Sequence, residues 1–249
     1  MDLGLAGARA LVTGGSRGIG LAVGRALAAE GARVALLGRD VDALAAAAVL
    51  TGPGTLTLMA DTTDDAAVRA AVNAAALGLG GLDVVVNAAA PRARPGPPAG
   101  LSDLDDLDFL MQVNTKPLGY LRVVRAAAPY LERDGGGRVV NVSGMNARAT
   151  GSITGSVRNI AVVALTKNLA DELGPRGITV TCVHPGLTVT ERVADDAAYL
   201  EKAAQNSLGR PVTADDVAGV VAFLASPRAA AANGAVITLD GGRPGALWS

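Results

Sequence analysis

Ala10-Leu11-Val12-Thr13-Gly14-Gly15-Ser16-Arg17-Gly18-Ile19-Gly20 passes from a short apolar run, through a glycine-rich turn, into a helical pattern that runs from about Ile19 to Glu30. Strand, glycine turn, helix is the setting a phosphate-cradling loop requires. Glycines let backbone N–H groups approach a pyrophosphate closely, and the helix N-terminus adds a favourable dipole. A glycine-rich loop alone carries little weight; its position between a strand and a helix near residue 15 makes the signal specific.

Outward from this turn the chain alternates short apolar runs with longer helical stretches. Strands are expected at Ala10–Val12, Arg33–Leu37, Leu56–Ala60, Asp83–Asn87, Arg138–Val142, Ile178–Val183 and Ala235–Leu239. Helices are expected from Val41 to Val49 and from Asp65 to Leu77, among others. Most of the strands are continuously apolar, as strands covered on both faces must be. Repeated strand–helix–strand units predict an α/β fold with a doubly wound parallel sheet of about seven strands, right-handed crossovers, and ligands at the carboxyl ends of the strands. No repeat or linker divides residues 1–249, so one domain is expected. Two irregular segments stand out: the proline-rich run Pro91–Pro98, expected beside the ligand cleft, and a helical stretch over Thr188–Ser207, expected to act as a lid.

Composition narrows the function. The 249 residues are 50% hydrophobic, which excludes a disordered chain. Twenty-two basic against 23 acidic residues leave a net charge of −1, which argues against nucleic-acid binding. One Trp, three Tyr and two Phe leave little for base stacking. A single cysteine, Cys182, and a single histidine, His184, exclude an internal disulfide and Cys- or His-rich metal sites, so no metal is expected. The N-terminus lacks a basic region before an apolar run, and no apolar stretch reaches membrane-spanning length; the expectation is a cytoplasmic protein.

After the second strand comes Gly38-Arg39-Asp40. An acidic side chain at the strand end favours a ribose 2′-hydroxyl. Here Arg39, together with Arg17 in the glycine turn, suits a 2′-phosphate, so NADP(H) is the expected cofactor.

With these residues in view, the chain resembles the short-chain dehydrogenase/reductases of the compact bacterial ketoreductase type, nearly from end to end. The resemblance rests on Thr13–Gly20, Asp61 after the third strand, Asn87-Ala88-Ala89-Ala90, Asn114, Pro185-Gly186 with Thr190, Leu208-Gly209-Arg210, Phe223–Ser226 and Asp240-Gly241-Gly242. It implies a cofactor site drawn from Gly14, Ser16, Arg17, Gly18, Ile19 and Gly20 of the turn, from Arg39 and Asp61, from Asn87 and Ala88, and from Pro185, Gly186, Thr188 and Thr190. Asp61 would meet the adenine amine. The resemblance also implies a small-molecule substrate and a homodimer or homotetramer, or a hetero-oligomer with a paralogue.

The family's proton chemistry uses a tyrosine with a lysine four residues on, a serine after the fifth strand, and an asparagine in the preceding helix. Counting back roughly thirty residues from Pro185 lands on Gly155, which puts Asn159 at the lysine position. The serine position falls on Gly144, with Ser143 one step early, and Asn114 alone is retained. Losing a positioned general acid costs about 10²–10⁴ in rate. Candidates for the remaining catalytic work are Asn114, Ser143 and Tyr199 of the lid. Tyr120 is expected at a subunit contact. Ser152, Thr154 and Ser156 read as helix-capping material, and Cys182 as a buried filler. His184 reads as a strand-end residue bonded to backbone, and Arg158 as turned away from the lost lysine's place.

Three readings remain open: an enzyme with altered chemistry such as isomerisation, dehydration or cyclisation; a non-catalytic subunit paired with an active paralogue; and a conventional NADPH-dependent ketoreductase with a substitute acid.

Overall fold

The computed structural model describes residues 1–91, 99–133 and 135–243. Past Pro91, the proline-rich run read above lies outside the described residues. Strands β1 (Arg9–Thr13), β2 (Arg33–Gly38), β3 (Leu56–Met59), β4 (Val84–Asn87), β5 (Arg138–Val142), β6 (Thr179–Pro185) and β9 (Val236–Leu239) form one parallel sheet in the order β3-β2-β1-β4-β5-β6-β9. The order reverses between β1 and β4, whose residues pair from Ala10 with Val84 to Thr13 with Asn87. That reversal opens the crevice where an open α/β sheet binds ligands. This is the α/β, doubly wound architecture with a seven-stranded parallel sheet that the apolar runs predict.

Alternation along the strands divides the core into two layers. Ala10 and Val12 of β1, Val34 and Leu36 of β2, and Val84 and Val86 of β4 pack with helices α1 (Gly18–Ala29), α2 (Val41–Thr51) and α8 (Ala214–Leu224). Leu11, Ala35, Leu37 and Val85 point the other way, onto α3 (Asp65–Leu79), α5 (Gly119–Leu131) and α6 (Ile153–Leu173). Side chains at the helix starts satisfy the otherwise unbonded N–H groups: Asp40 caps α2, Asp64 caps α3, and Ser152 caps α6 by accepting from the Gly155 N–H at 3.0 Å. Thr213 and Asp216 form a reciprocal capping box at α8. Ser152 is thus capping material, as the sequence suggests.

Two features were not expected. Helix α4 (Asp106–Val113) runs into α5 through a π-helical turn, Asn114–Leu118. Pro117 lacks an N–H and cannot continue an α ladder; the wider turn absorbs it. In the Thr188–Ser207 stretch, a two-residue strand β7 (Thr188–Val189) pairs with β8 (Val212–Thr213), and only Ala197–Ala203 is helical, as α7. No helix among the described residues is long and apolar enough to cross a membrane.

Candidate active site

A cleft of about 320 Å³ opens at the carboxyl ends of β1, β2, β4 and β5. A roomier hollow, about 490 Å³, lies at the opposite ends of the strands; its charged groups include Arg9 and Asp83, paired at 2.6 Å. Ligands of a parallel sheet enter at the carboxyl ends, so the cleft is the candidate site.

The glycine turn forms one wall. Gly14 has φ +67°, and a Cβ there would sit 2.8 Å from the Ala89 backbone; a Cβ on Gly20 would sit 2.2 Å from the Gly14 carbonyl oxygen. Both glycines exist to let backbone approach backbone. Arg17, at the N-cap of α1, makes no side-chain cap bond. The Gly18 N–H instead donates to the Glu191 carboxylate, 3.0 Å from Oε1 and 3.2 Å from Oε2. A carboxylate from the segment after β7 therefore holds the place a phosphate oxygen takes at a helix N-terminus. Its neighbours Thr190 and Arg192 also line the cleft.

At the far end of the turn Arg39 meets Asp61 at 3.5 Å and Arg17 meets Asp40 at 3.4 Å. These exposed pairs are worth little and yield readily to a stronger anion. Burial alone would raise the Asp61 carboxyl pKa; the Thr63 N–H and hydroxyl, bonded at 2.9 and 2.8 Å, and the Arg39 guanidinium hold it below the usual range. Gly14, Ser16, Arg17, Gly18, Ile19, Gly20, Arg39, Asp61, Ala88 and Thr190 all line the cleft. Asn87, Pro185, Gly186 and Thr188 stand behind it. Asn87 is fully buried, its amide donating to Asn141 Oδ1 at 2.9 Å, and Asn141 donating in turn to Thr166 Oγ at 2.9 Å. The Thr188 hydroxyl donates to the Gly186 carbonyl at 3.2 Å.

The floor of the cleft is set by the π-turn. It places Lys116, 4% exposed, against the end of β5 and the first turns of α6. The Lys116 Nζ donates to the Ser143 carbonyl at 2.8 Å and to Asn159 Oδ1 at 2.9 Å. Four residues on, Tyr120 is fully buried and its hydroxyl donates to the Val142 carbonyl at 2.9 Å. One helix face thus satisfies two successive carbonyls at the end of β5. Tyr120 is therefore a core residue, correcting the expectation of a subunit contact: the π-turn aims it inward.

Lys116 has no carboxylate partner among the described residues. Burial, with the Arg158 charge nearby, lowers its pKa to about 7, while Cys182 acts weakly the other way. The buried Cys182 thiol is pushed up to about 11, chiefly by burial. His184 falls to about 4 through burial and the charges of Arg148 and Lys116, and its Nδ1 has no hydrogen-bond partner among the described residues. That corrects the expectation of a backbone bond at that nitrogen. Lys116 and Arg148 thus both bear on the His184 imidazole, and Arg158 bears on Lys116.

The three candidate catalytic residues take different places. Ser143 is buried at the cleft floor, its hydroxyl donating to the Asn159 backbone carbonyl at 2.9 Å. The Asn114 side chain accepts from Arg122 at 2.8 Å, beside the Arg122–Thr62 contact, and does not line the cleft. The Tyr199 hydroxyl donates to the Thr188 carbonyl at 3.2 Å and does not line the cleft either. Gly155 lies in the first turn of α6, where a Cβ would sit 2.7 Å from the capping Ser152 Oγ. Gly144 leaves room for Asn159: a Cβ there would lie 3.1 Å from the Asn159 amide nitrogen. Lys116 and Glu191 were not anticipated. The available signal for Lys116 was a lone cation flanked by Thr115, Pro117 and Leu118.

A family model described as enoyl-(acyl carrier protein) reductase matches residues 14–243. The chain belongs to the short-chain dehydrogenase/reductase family. It is 34% identical over 248 residues to the short-chain reductase protein NovJ of Streptomyces niveus, covering 94% of this chain and 93% of that one. A dehydrogenase/reductase from Sinorhizobium meliloti 1021 superposes with a TM-score of 0.89 at 35% identity, over 98% of both chains. A short chain dehydrogenase from Burkholderia cenocepacia J2315, in complex with NADP, superposes with a TM-score of 0.85 at 36% identity, over 96% of this chain and 98% of that one.

Proposed function

We propose that this short-chain dehydrogenase/reductase binds NADP(H) in the cleft and acts on a small carbonyl or alcohol metabolite by chemistry that does not run through a phenol on α6. The observation that carries the reading is a contrast within one cleft. The dinucleotide wall is complete, from Gly14 and Gly20 to Asp61, whereas Gly155 offers no acid and Asn159 no charge. The Gly18 N–H already accommodates an anion, the Glu191 carboxylate, where a pyrophosphate oxygen would bind. Asp61 suits an adenine amine, and Arg39 and Arg17 suit a 2′-phosphate. The NADP held by the Burkholderia relative supports the same choice. Bound there, the nicotinamide supplies or accepts hydride. The protein's own share is to orient the ring and substrate and to manage the proton at the substrate oxygen. The segment over 188–207 acts as a lid, with Thr190 and Arg192 already against the cleft. Tyr199 draws no support as a substitute acid, because its hydroxyl is engaged by Thr188.

A second reading, a non-catalytic subunit paired with an active relative, draws on the missing acid at Gly155 and missing charge at Asn159 together with one surface feature. Leu107, Leu110, Met111 and Leu118 on α4 and its π-turn are exposed at helical spacing, and so are Ile153, Val157 and Ile160 on α6. Two exposed apolar stripes on helices that pack together suit an oligomer interface. Both readings share this interface; they differ in turnover.

The deciding experiment incubates the purified protein with NADPH and a panel of small ketones and aldehydes, following nicotinamide absorbance and products by mass spectrometry. Product from any substrate supports the enzyme. A folded, NADPH-binding protein that makes none, and gains turnover only with a related reductase added, supports the subunit.

A further inference from the structure

Lys116 is an amine buried on the floor of a ligand cleft with no carboxylate to compensate it among the described residues, and that needs a reason. A buried ammonium is costly and survives where its hydrogen bonds are made or where its proton is used. Here two acceptors are supplied, the Ser143 carbonyl and Asn159 Oδ1, at 2.8 and 2.9 Å. An ammonium carries three hydrogens and a neutral amine two. Releasing one proton therefore strands neither acceptor, and both protonation states fit the same pocket.

We propose that Lys116 is the cleft's proton donor, delivering the third ammonium hydrogen to the oxygen of a small carbonyl substrate. The inference rests on the reading that the cleft takes NADP(H) and a carbonyl compound. The carbonyl carbon receives a hydride from reduced nicotinamide dinucleotide. The carbonyl π pair passes to oxygen, the Lys116 N–H bond breaks and an O–H bond forms. The products are an alcohol, the oxidised dinucleotide and a neutral amine, which regains its proton from water. The surroundings suit the cycle. Arg158 from α6 and His184 from β6 face the amine without offering it a counter-ion, and Cys182 on β6 is held as the thiol by burial. A pKa of about 7 leaves both forms populated at neutral pH, the range in which a general acid works best.

Lys116, Lys167 and Lys202 are the lysines of the sequence, so labelling resolves them cleanly. The test is reductive methylation of the full chain with isotopic formaldehyde and cyanoborohydride across pH, with peptide mapping, with and without saturating NADPH plus a ketone. Lys116 is expected to label half-maximally near pH 7 and to be shielded at least five-fold by the ligands, with the exposed Lys167 and Lys202 as internal references. A Lys116 that titrates with the exposed lysines, never labels, or ignores the ligands overturns the proposal. A Lys116→Arg variant keeps the charge but holds its proton. For any ketone the wild type reduces, kcat should fall about 10²–10⁴-fold and the limb near pH 7 should vanish, with NADPH affinity changed less than about three-fold. Full rate in that variant also overturns the proposal. Calorimetric NADPH binding in wild type and variant reports on the cofactor reading separately, so the two failures are distinguishable.

Discussion

The Nζ of Lys116 on the π-turn lies 2.9 Å from Oδ1 of Asn159 on α6, and an amide is what lets that ammonium be there. A lysine at 159 would bring two cations into one buried pocket. The Asn159→Lys substitution alone should cost about 3–5 kcal/mol, the scale of an uncompensated buried charge. Combined with Lys116→Met it should recover most of that loss. Denaturant titrations of the single and double variants measure this; an additive double variant contradicts the contact.

Stability should depend on pH through Lys116. In the unfolded chain the amine titrates near its ordinary value of 10.5, and in the folded protein near 7. Between those values the unfolded state binds the extra proton, so stability rises as pH climbs from about 7 towards 10.5 and is flat in this contribution below 7. Relative to Lys116→Met, the wild type should gain up to about 4 kcal/mol across that window. Thermal or denaturant unfolding of the pair at stepped pH measures it.

His184 contributes a slope of the same sign at lower pH. Its pKa falls from 6.5 to about 4 on folding, so the unfolded state binds the extra proton between those values. Stability should fall by about 2–3 kcal/mol as pH drops from 6.5 to 4. A His184→Asn variant should lose most of this slope, read in the same unfolding series.

Glu191 and an incoming pyrophosphate compete for the Gly18 N–H. Removing the charge with Glu191→Gln should tighten NADPH about two- to five-fold, since an anion at a helix N-terminus is worth up to roughly 1 kcal/mol. Calorimetry on the two proteins decides it; weaker binding in the variant would show the carboxylate supporting the cofactor.

The sequence makes the fold legible because a parallel sheet covered on both faces must be built from uninterrupted apolar runs, and Val84–Val86 and Val139–Val140 are buried as that rule requires. The cofactor wall was legible because Gly14 and Gly20 answer to backbone geometry that other residues do not tolerate. The floor was not. Lys116 and Tyr120 reach β5 only because the turn at Asn114–Leu118 is π rather than α, and periodicity counted at 3.6 residues cannot foresee a widened turn. Asn159 reads as a lost lysine on its own helix; its meaning depends on a cation from another element. Glu191 was hidden for a related reason, since an exposed acid in a loop has no pattern until the loop is placed over the glycine turn.

Calorimetric titration of the wild-type protein with NADPH and with NADH tests most directly whether the cleft takes a dinucleotide carrying a 2′-phosphate. NADPH should bind at least ten-fold more tightly, and Arg39→Ala should remove most of that preference, the scale of one charge-assisted hydrogen bond. Equal affinity for the two dinucleotides, or no heat from either with a folded protein, would contradict it.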